Sequence, residues 1–452
     1  MRNAPFFVLL FAASSLFAQW QNVGSNITAN PRGIYGLSVP SASVVWGITI
    51  HPNYTSPARE FTRSVNGGTS WQTGVIDAAN GKDFTSLNIF ALDANNAWVT
   101  MTDNATQRLG RIYKTDNGGL SWTEQKGSFN NLNNAIQAVH FFNGTTGIAY
   151  GSPASGDSAS DSLRIWRTTN GGTTWPRIPA SQLPIPLAGE GIWIYYGNGS
   201  YDTVGDTLWF GTRRGRVWRS IDKGASWKAF SVGADEPIYS VAFTNHRVGL
   251  AISDGKGYRT LDGGATWNEI IMPNSFLYYQ IESVPNSDGT FMLIYEGSDM
   301  FYSDFRQAYT LDDGDTWQML PPRAIECVKF LSSTSGFGGG KIFSSNTGGI
   351  YRWTGDFQTL TAVADAGAYR KYGNIFPNPF SDYTTLEFEV DSPAPISYTI
   401  AKASGKVVEK GKIERGLMGK NQVMLRPKVP AGTYFITLRQ GKRKQTLKLV
   451  KQ

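Results

Sequence analysis

Ser64-Val65-Asn66-Gly67-Gly68-Thr69-Ser70-Trp71 is the first of six copies of one phrase that decides the fold of this chain. The other copies are Thr115-Asp116-Asn117-Gly118-Gly119-Leu120-Ser121-Trp122, Thr168-Thr169-Asn170-Gly171-Gly172-Thr173-Thr174-Trp175, Ser220-Ile221-Asp222-Lys223-Gly224-Ala225-Ser226-Trp227, Thr260-Leu261-Asp262-Gly263-Gly264-Ala265-Thr266-Trp267 and Thr310-Leu311-Asp312-Asp313-Gly314-Asp315-Thr316-Trp317. They recur at intervals of about 40 to 53 residues. A repeat of this length suits one four-stranded blade of a β-propeller.

The chemistry of the phrase is that of a hairpin turn. Its Asp or Asn side chain can accept hydrogen bonds from nearby backbone N–H groups, and its glycine permits a positive φ. Its Trp supplies a large ring to bury between neighbouring sheets. We therefore expect a structural and not a catalytic role for these residues, which are Asn66, Trp71, Asn117, Trp122, Asn170, Trp175, Asp222, Trp227, Asp262, Trp267, Asp312 and Trp317.

The phrase resembles the Asp-box (BNR) repeat of sialidase-like propellers, which implies a turn between the third and outermost strands, away from the ligand face. A second resemblance, to the BNR-like propellers related to the photosystem II assembly factor, spans roughly residues 30–355. It rests on Gly147-Ile148-Ala149-Tyr150-Gly151-Ser152-Pro153, Leu187-Ala188-Gly189-Glu190-Gly191 and Gly215-Arg216-Val217-Trp218-Arg219-Ser220. That family has no general catalytic assignment to carry over, so the resemblance implies a fold and not an activity.

Three alternating segments precede most copies of the phrase, as in residues 238–243, 248–252 and 257–260. A further unit starts at Ile325 and ends at its third strand, without a phrase. We expect the missing outer strand of this unit to be formed by Trp20-Gln21-Asn22-Val23, since these residues resemble the segment after the first phrase. Such pairing would join the first and last blades and remove two exposed sheet edges. The prediction is an all-β, seven-bladed propeller, with six blades as the alternative.

The two ends of the chain carry export signals. Residues 1–18 combine a basic start, an apolar run of about a dozen residues and a small-residue exit at Ala18, which is typical of a signal peptide and too short to span a bilayer. Nothing else in the sequence is apolar enough for a transmembrane segment. The predicted organisation is a signal peptide at 1–18, a propeller at 19–355, a linker at 356–372 and a C-terminal domain at 373–452.

The sequence of the C-terminal domain contains short alternating segments separated by turn residues, and this pattern predicts a small Ig-like β-sandwich. Residues 370–452 hold 16 Lys or Arg and 6 Asp or Glu, which gives this part a net charge of +10. Since the net charge of the whole chain is +7, residues 1–369 have a net charge of −3. Its phrases Ile375-Phe376-Pro377-Asn378-Pro379 and Ala431-Gly432-Thr433-Tyr434-Phe435 resemble the type A C-terminal sorting domain of the type IX secretion system of Bacteroidetes. The resemblance implies the secretion machinery as partner and a final location in the medium or on the outer-membrane surface.

The sequence offers little for catalysis. The three histidines lie in different units without a second metal ligand at useful spacing, and no nucleophile or phosphate-binding motif is present. Cys327 lies in an alternating strand and is expected in the core. Since the basic excess belongs to the tail, a nucleic-acid partner has no support. We expect no metal and no cofactor, and if there is an activity, that of a glycoside hydrolase.

Ligand-binding residues are expected on the loops between second and third strands, which open on the face opposite the phrases. Three such loops are long, at residues 51–58, 152–162 and 296–306. With the acid Glu190, which follows a proline-rich segment, they give the candidates Tyr54, Asp157, Asp161, Glu190, Tyr302, Asp304 and Arg306. The leading hypothesis is recognition of a glycan or protein. The alternatives are a polysaccharide hydrolase, which requires two close carboxylates at the channel mouth, and a structural or adhesive surface component.

Overall fold

The computed structural model describes residues 19–28, 32–51, 57–77, 83–103, 109–127, 129, 134–153, 163–192, 201–273, 277–287, 289–296, 305–344, 347–358, 373–376, 378–390, 396–402, 406–413, 419–440 and 443–452. The chain divides into two compact units, Met1–Ala364 and Asp365–Gln452. Among the described residues there is no α-helix, and the regular structure is β-strand apart from a 3₁₀ turn at Ala180–Gln182. No described helix is therefore long and apolar enough to cross a membrane.

The first unit is built from short strands that follow the repeat of the sequence. In chain order they are β1 (Trp20–Gly24), β2 (Arg32–Ser38), β3 (Val45–Ile50), β4 (Glu60–Ser64), β5 (Gln72–Val75), β6 (Phe84–Ala91), β7 (Ala97–Asp103), β8 (Gly110–Thr115), β9 (Thr123–Glu124), β10 (Asn134–Phe141), β11 (Gly147–Pro153), β12 (Arg164–Thr168), β13 (Tyr201–Val204), β14 (Thr207–Gly211), β15 (Arg216–Ser220), β16 (Lys228–Ser231), β17 (Ser240–Phe243), β18 (Gly249–Ser253), β19 (Lys256–Thr260), β20 (Asn268–Ile270), β21 (Leu277–Ser283), β22 (Phe291–Glu296), β23 (Phe305–Thr310), β24 (Gln318–Met319), β25 (Cys327–Ser332), β26 (Ser335–Ser344) and β27 (Thr347–Trp353).

These strands pair antiparallel in sequential groups. Separate sheets contain β6–β9, β10–β12, β13–β16, β17–β20 and β21–β24 in chain order. The remaining sheet joins β2–β5 to β25–β27, since Arg32 and Gly33 of β2 pair with Ile342 and Lys341 of β26. We call the first strand of each group, from β2 to β25, its inner strand.

The inner strands are linked into a closed ring by side chains that bond to the backbone of a neighbouring inner strand. Ser38 accepts the N–H of Ala91, and each later link runs to the next group along the chain. The ring closes where Cys327 Sγ lies 3.5 Å from the carbonyl oxygen of Ile34. The intervening links are Asn88 with Val139, Tyr201 with Val139, Asp202 with Phe243, Ser240 with Ile281, and Gln280 with Val328. Cys327 is 2% exposed, which confirms its expected place in the core.

The chain start supplies the outer strand of the last group, as the sequence predicts. β1 pairs antiparallel with β27, with Trp20 opposite Trp353 and Asn22 opposite Tyr351. The same segment also contacts the first group, because Trp71 Nε1 donates to the carbonyl of Val23 at 2.8 Å. Closure therefore uses both ends of the propeller sequence.

Every copy of the phrase forms the expected turn after the third strand of its group. The Asp or Asn Oδ1 accepts the N–H of the residue four positions later at 2.8–3.0 Å. The first hydroxyl accepts the N–H of the phrase's fifth residue, a glycine in every copy, at 2.8–3.0 Å. In addition, the fourth residue donates to the turn between first and second strands of its own group, as Gly118 does to Asn95. All these turns thus lie at one end of the sheets, the turn face.

A link between neighbouring groups comes from the residue just before the phrase. Arg219 Nη1 donates at 2.8 Å to the carbonyl of Gly263, the fourth residue of the next phrase. The same link recurs from Arg63 to Gly118, from Arg167 to Lys223 and from Arg259 to Asp313. Each of these arginines therefore connects its own third strand to the turn of the following group.

The second unit is a small β structure with its own core. Its strands are β28 (Gly373–Phe376), β29 (Thr384–Val390), β30 (Ile396–Lys402), β31 (Val407–Ile413), β32 (Gly419–Leu425), β33 (Gly432–Gln440) and β34 (Arg443–Lys451). They form two sheets, β28-β29-β32 and β31-β30-β33-β34. Leu386 and Phe388 of one sheet share a core with Ile400, Ile436 and Leu449 of the other.

Candidate functional site

The end of the sheets opposite the turn face carries the loops between second and third strands and the connections between groups. We call it the loop face. Five of the candidate residues predicted from the sequence lie outside the described residues, namely Tyr54, Asp157, Asp161, Tyr302 and Asp304. Of the other two, Glu190 lies in a connection between two groups of strands and Arg306 lies in a strand of a different group.

Glu190 lies in the connection between β12 and β13 and is 0% exposed. Its Oε1 accepts hydrogen bonds from Thr212 Oγ1 at 2.9 Å, Trp218 Nε1 at 3.0 Å and Arg216 Nε at 2.9 Å. Its Oε2 accepts the N–H of Leu187 at 2.9 Å and pairs with Arg216 Nη2. The carboxylate is therefore satisfied within the protein, beneath the loop face.

These contacts fix the ionisation of Glu190. Burial alone would raise the pKa of its carboxyl, but the hydrogen bonds from Arg216, Leu187, Trp218 and Thr212 outweigh it, and the pKa is lowered. The group is thus an anion at neutral pH, held by an arginine that is itself only 14% exposed in its side chain. This carboxylate therefore stabilises the loop and strands that it bonds to, and it is not exposed to a ligand.

Arg306 belongs to a position that repeats along the chain. It lies in β23 opposite Tyr295, four residues before the first hydroxyl of the sixth phrase, and is partly buried. The same position is basic in the preceding four groups, as Arg111, Arg164, Arg216 and Lys256. Three of these pair with acids at the loop face: Arg111 with Glu124, Arg216 with Glu190, and Lys256 with Glu236.

A second cluster, which the sequence analysis did not single out, lies where the inner strands approach one another. Lys329 of β25 places Nζ 2.7 Å from Glu282 Oε1 of β21 and 3.9 Å from Asp202 Oδ1 of β13. Asp202 Oδ2 also accepts the backbone N–H of Phe243 at 2.7 Å and the hydroxyl of Ser283 at 3.3 Å. Lys329 thus pairs with an acid on the neighbouring inner strand β21 and also approaches Asp202 on β13, which is not a neighbour of β25 in the ring.

Aromatic side chains form the other side of this cluster, and we call Lys329, Glu282 and Asp202 with these rings the channel cluster. The ring of His140, on β10, lies 4.7 Å from that of Phe90, 4.8 Å from Phe142 and 5.7 Å from Tyr201. Tyr201 donates its hydroxyl to the carbonyl of Val139 at 3.4 Å. His140, for which the sequence offers no second metal ligand at useful spacing, is therefore a buried ring on an inner strand.

Burial dominates the electrostatics of the channel cluster. It raises the pKa of Glu282 to about 7, although the nearby Lys329 opposes the shift, and it raises the pKa of Asp202 as well. For His140, burial and then the positive charge of Lys329 lower the pKa to about 3, so the ring is neutral. The pKa of Lys329 is raised, because the attraction of Glu282 and Asp202 exceeds the effect of burial.

The cluster brings two carboxylates near one ammonium, but both acids are already bonded within the protein. Lys329 retains 34% of its side-chain surface, whereas Asp202 and Glu282 retain 8% and 6%. Among the residues that the structure describes, no group of three or more His, Cys, Asp or Glu side chains is placed to hold a metal ion. The arrangement fits an ionic link across the inner strands.

Only a weak sequence signal marks these residues. Lys329 stands between the apolar residues Val328 and Phe330, and His140 stands between Val139 and Phe141. However, the partners Asp202, Glu282 and Lys329 are far apart in the chain, and only ring closure brings them together. The repeated arginine before the phrase is visible in the sequence once the six copies are aligned, and it is the signal that the sequence analysis missed.

Comparisons with known proteins divide along the same boundary as the structure. Residues 374–452 match the family of secretion system C-terminal sorting domains. Residues 215–349 match a model described as sortilin, neurotensin receptor 3. A search of curated proteins finds no significant match.

Several solved structures are similar in fold. A structure of YCF48 bound to D1 peptide has a TM-score of 0.51 and 15% identity, and the similarity covers 75% of this chain and 96% of that one. YCF48 from Cyanidioschyzon merolae has a TM-score of 0.47 and 14% identity over 74% and 98% of the two chains. An ancestral GH74 enzyme has a TM-score of 0.49 and 13% identity over 95% and 63%.

The ring of sheets and the likeness to YCF48 define the class of the first unit, which is a β-propeller. The match over residues 374–452 defines the second unit. This chain is a propeller protein that carries a secretion-system C-terminal sorting domain, and the sorting domain indicates export to the medium or the cell surface.

Proposed function

We propose that this protein is a non-catalytic recognition propeller, exported by the type IX secretion system, whose ligand binds at the loop face. The observation that carries the proposal is the state of Glu190. The acid that the sequence marks on this face is wholly buried and holds a loop on which Ile185 is 87% exposed. An exposed side chain on a loop held in one conformation suits a binding surface, because little conformational freedom is lost when a ligand binds.

The channel cluster also favours recognition over hydrolysis. A glycoside hydrolase needs one carboxyl to protonate the leaving oxygen and a second that is free to attack or to activate water. Glu282 is paired with Lys329, and Asp202 accepts the backbone N–H of Phe243 and Thr203. Both acids are thus engaged in joining inner strands, which supports the reading of the cluster as a structural link.

We also propose the number of blades, the fold of the tail and the domain boundaries. The inner strands β2, β6, β10, β13, β17, β21 and β25 follow one another around the ring, which supports seven blades and not six. Two facing sheets around one core support an Ig-like sandwich for the tail. The proposed boundaries remain 1–18 for a signal peptide, 19–355 for the propeller, 356–372 for a linker and 373–452 for the sorting domain.

A protein ligand is favoured over a glycan. YCF48, one of the structural neighbours, was solved with a peptide bound. On this chain, the exposed group held by the Glu190 network is aliphatic, and it provides neither a hydroxyl nor an aromatic face for a sugar ring. We therefore place a protein of the cell surface or medium first, and a glycan second.

The test uses the full mature chain, residues 19–452, immobilised and exposed in parallel to two sets of probes. One is a panel of polysaccharides and sialosides, and the other is the outer-membrane and secreted protein fraction of the producing cells. We expect retention of a protein without release of sugar products. Product release that disappears in Glu282→Gln or Asp202→Asn would establish the hydrolase instead. Retention of nothing from either set would favour a structural component.

A further inference from the structure

The sheet β31-β30-β33-β34 of the second unit has one face on the core and one face turned away from it. Ile400 of β30 and Ile436 of β33 belong to the core. Because successive side chains of a strand point to opposite faces, the residues that alternate with them form the other side, which we call the outward sheet face. On β30, β31 and β33 it consists of Ser397, Thr399, Ala401, Val407, Lys410, Lys412, Thr433, Phe435, Thr437 and Arg439.

The strand register arranges the outward sheet face in rows. Across β31, β30 and β33, the first row is Lys412, Ser397 and Arg439, and the second is Lys410, Thr399 and Thr437. Lys410, Lys412 and Arg439 are all exposed. The backbone pairing of β33 with β34 sets Lys444 opposite Arg439. Positive charge therefore lies on both sides of a strip of hydroxyl groups.

The charge of this sheet is almost entirely of one sign. Its four strands contain eight Lys or Arg residues and a single acid, Glu409. Glu409 Oε1 accepts the hydroxyl of Tyr398 at 3.3 Å, and Tyr398 packs against the core. Glu409 Oε2 accepts the backbone N–H of Lys428, in the connection between β32 and β33, at 3.2 Å. The one acid of these described strands is thus engaged away from the outward sheet face, and the basic rows favour an anionic partner.

The third row of the outward sheet face is apolar and exposed. Val407 stands opposite Ala401, which stands opposite Phe435. Val407 is 43% exposed, and Phe435 and the bulged residue Val408 are each 36% exposed. On β34, Lys448 pairs with Phe435. Exposed aromatic and aliphatic side chains beside lysines are typical of surfaces that lie on membranes, where the apolar groups enter the headgroup boundary and the lysines attract anionic lipids.

We propose that the outward sheet face binds the surface of a membrane that contains anionic lipids. Lys410, Lys412 and Arg439 contact the headgroups, and the row of Val407 and Phe435 enters the boundary beneath them. The three rows and four strands span about 14 Å in each direction, so several headgroups can be met at once. A soluble polyanion would occupy the basic rows and leave the exposed apolar row in water, and for this reason a membrane fits better.

This inference concerns the second unit and does not rest on the recognition function proposed for the first. The sorting domain indicates export to the medium or the cell surface. The outward sheet face would give the exported chain a contact of its own with a membrane, without any membrane-spanning segment.

The first experiment measures co-sedimentation of residues 19–452 with vesicles of phosphatidylcholine alone or with about a third of phosphatidylglycerol. We expect binding to the anionic vesicles only, and weaker binding as salt is added. Lys410→Glu combined with Lys412→Glu should weaken it at least about thirty-fold, since each basic residue at an anionic surface contributes about five-fold. The matched control is Arg426→Glu with Lys428→Glu, at exposed positions outside the four strands. It makes the same change in net charge and should weaken binding less than about five-fold.

The second experiment reports on the apolar row. Phe435→Cys adds one exposed thiol there, and Met424→Cys adds one on β32 of the other sheet, where Met424 is 57% exposed. Cys327 is buried, and burial raises the pKa of its thiol, so it does not compete for a maleimide. With the fluorophore NBD attached, anionic vesicles should shift the emission to the blue at position 435 and leave it unchanged at position 424.

Binding to both vesicle sets alike, or to neither, overturns the membrane-binding face. Equal losses in the Lys410→Glu/Lys412→Glu pair and the control pair also overturn it, since the cause would then be net charge. A blue shift at position 424 as large as at position 435 has the same consequence. Binding of soluble dextran sulfate without binding to vesicles would assign the basic rows to an acidic polysaccharide instead. Selective binding to anionic vesicles that the control pair keeps, with a shift at position 435 alone, supports the proposal.

Discussion

The phrase glycines are required by packing as well as by backbone conformation, and Gly119 shows the difference. Its φ is +88°, and a Cβ at this position would lie 2.4 Å from Cζ of Phe61 in the preceding group. Gly233 has a similar φ of +93°, but a Cβ there would meet no atom within 4 Å. A side chain would therefore strain the backbone at both positions, but only at Gly119 would it also clash with the neighbouring group of strands.

We predict that Gly119→Ala destabilises the propeller more than Gly233→Ala. The shared left-handed conformation should cost about 1–2 kcal/mol in each variant. Displacement of the buried Phe61 ring should add about 1–3 kcal/mol in Gly119→Ala alone. Urea unfolding followed by tryptophan fluorescence measures both values, because all 14 tryptophans lie between residues 20 and 353. Equal losses in the two variants would show that packing against Phe61 is not the cause.

The channel cluster predicts two opposite pH dependences that cancel in the parent chain. Glu282 has a folded pKa of about 7, raised by burial above the ordinary 4.5, so from pH 4.5 to 7 the folded state holds a proton that the unfolded state has lost. Its contribution to stability therefore falls as pH rises. His140 has a folded pKa of about 3 against 6.5, so its contribution rises with pH between those values.

Removing one group at a time should expose the other. Relative to the parent chain, Glu282→Gln should gain stability as pH rises from 4.5 to 7, by about 1.4 kcal/mol per pH unit. His140→Gln should gain stability as pH falls from 6.5 towards 3, with a similar slope. Urea unfolding of the three proteins at intervals between pH 4 and 8 gives the curves. Parallel curves across this range would contradict the burial of both groups.

The links between groups of strands are carried by a repeated element, the third strand with its final arginine. Arg219 donates to the carbonyl of Gly263 at 2.8 Å and lies over the ring of Phe230, 4.8 Å from its centre. We predict that Arg219→Ala costs about 1–3 kcal/mol in free energy of unfolding, since it removes a charge-assisted bond between groups. The control is Arg247→Ala in the same region. Arg247 makes a 3.4 Å bond to Leu261 at an exposed site and should cost less than about 0.5 kcal/mol.

Comparable losses in Arg219→Ala and Arg247→Ala would mean that the bond to Gly263 adds nothing beyond an ordinary surface contact. Urea unfolding with fluorescence detection is again sufficient. The slope of the transition should stay constant, because neither variant changes the surface that unfolding exposes.

Among the structural elements, the sequence predicts the turns and strands that depend on nearby residues and recur in each repeat. The phrase identifies each turn, because its Asp or Asn, its glycine and its first hydroxyl bond to one another within a few residues. Strand alternation before the phrase identifies the second and third strands. Contacts that cross between groups escape this reasoning, since the partner of Arg219 lies 44 residues along the chain. They become visible only when equivalent positions of the repeats are compared.

The candidate site is less accessible from sequence than the fold. Glu190 stands out as an acid after a proline-rich segment, yet its partners Thr212, Arg216 and Trp218 lie in the next hairpin and decide that it is buried. Sequence alone gives the residue but not its exposure. Exposure depends on which side of the connection faces the core, and that is a property of the assembled ring.

Ring closure by the strand Trp20–Gly24 is a property of the whole molecule that the sequence did predict. Trp20 of β1 is 4% exposed, and its ring lies 5.0 Å from that of Trp353 and 5.9 Å from that of Phe330. Gln21, the next residue, is exposed on the same strand. Trp20→Ala should cost about 3–5 kcal/mol, because it opens a large cavity at a junction made by residues distant in the chain.

Removal of residues 19–24 should have a larger effect than Trp20→Ala, since it also leaves β27 as an unpaired sheet edge. We expect the shortened chain to unfold at a lower urea concentration and to self-associate, which size-exclusion chromatography with light scattering detects. Gln21→Ala keeps the strand and its core contacts and should behave as the parent chain does. If the shortened chain stays monomeric and unfolds at the same urea concentration as Gln21→Ala, the ring is held by its inner strands alone and the chain start is dispensable for closure.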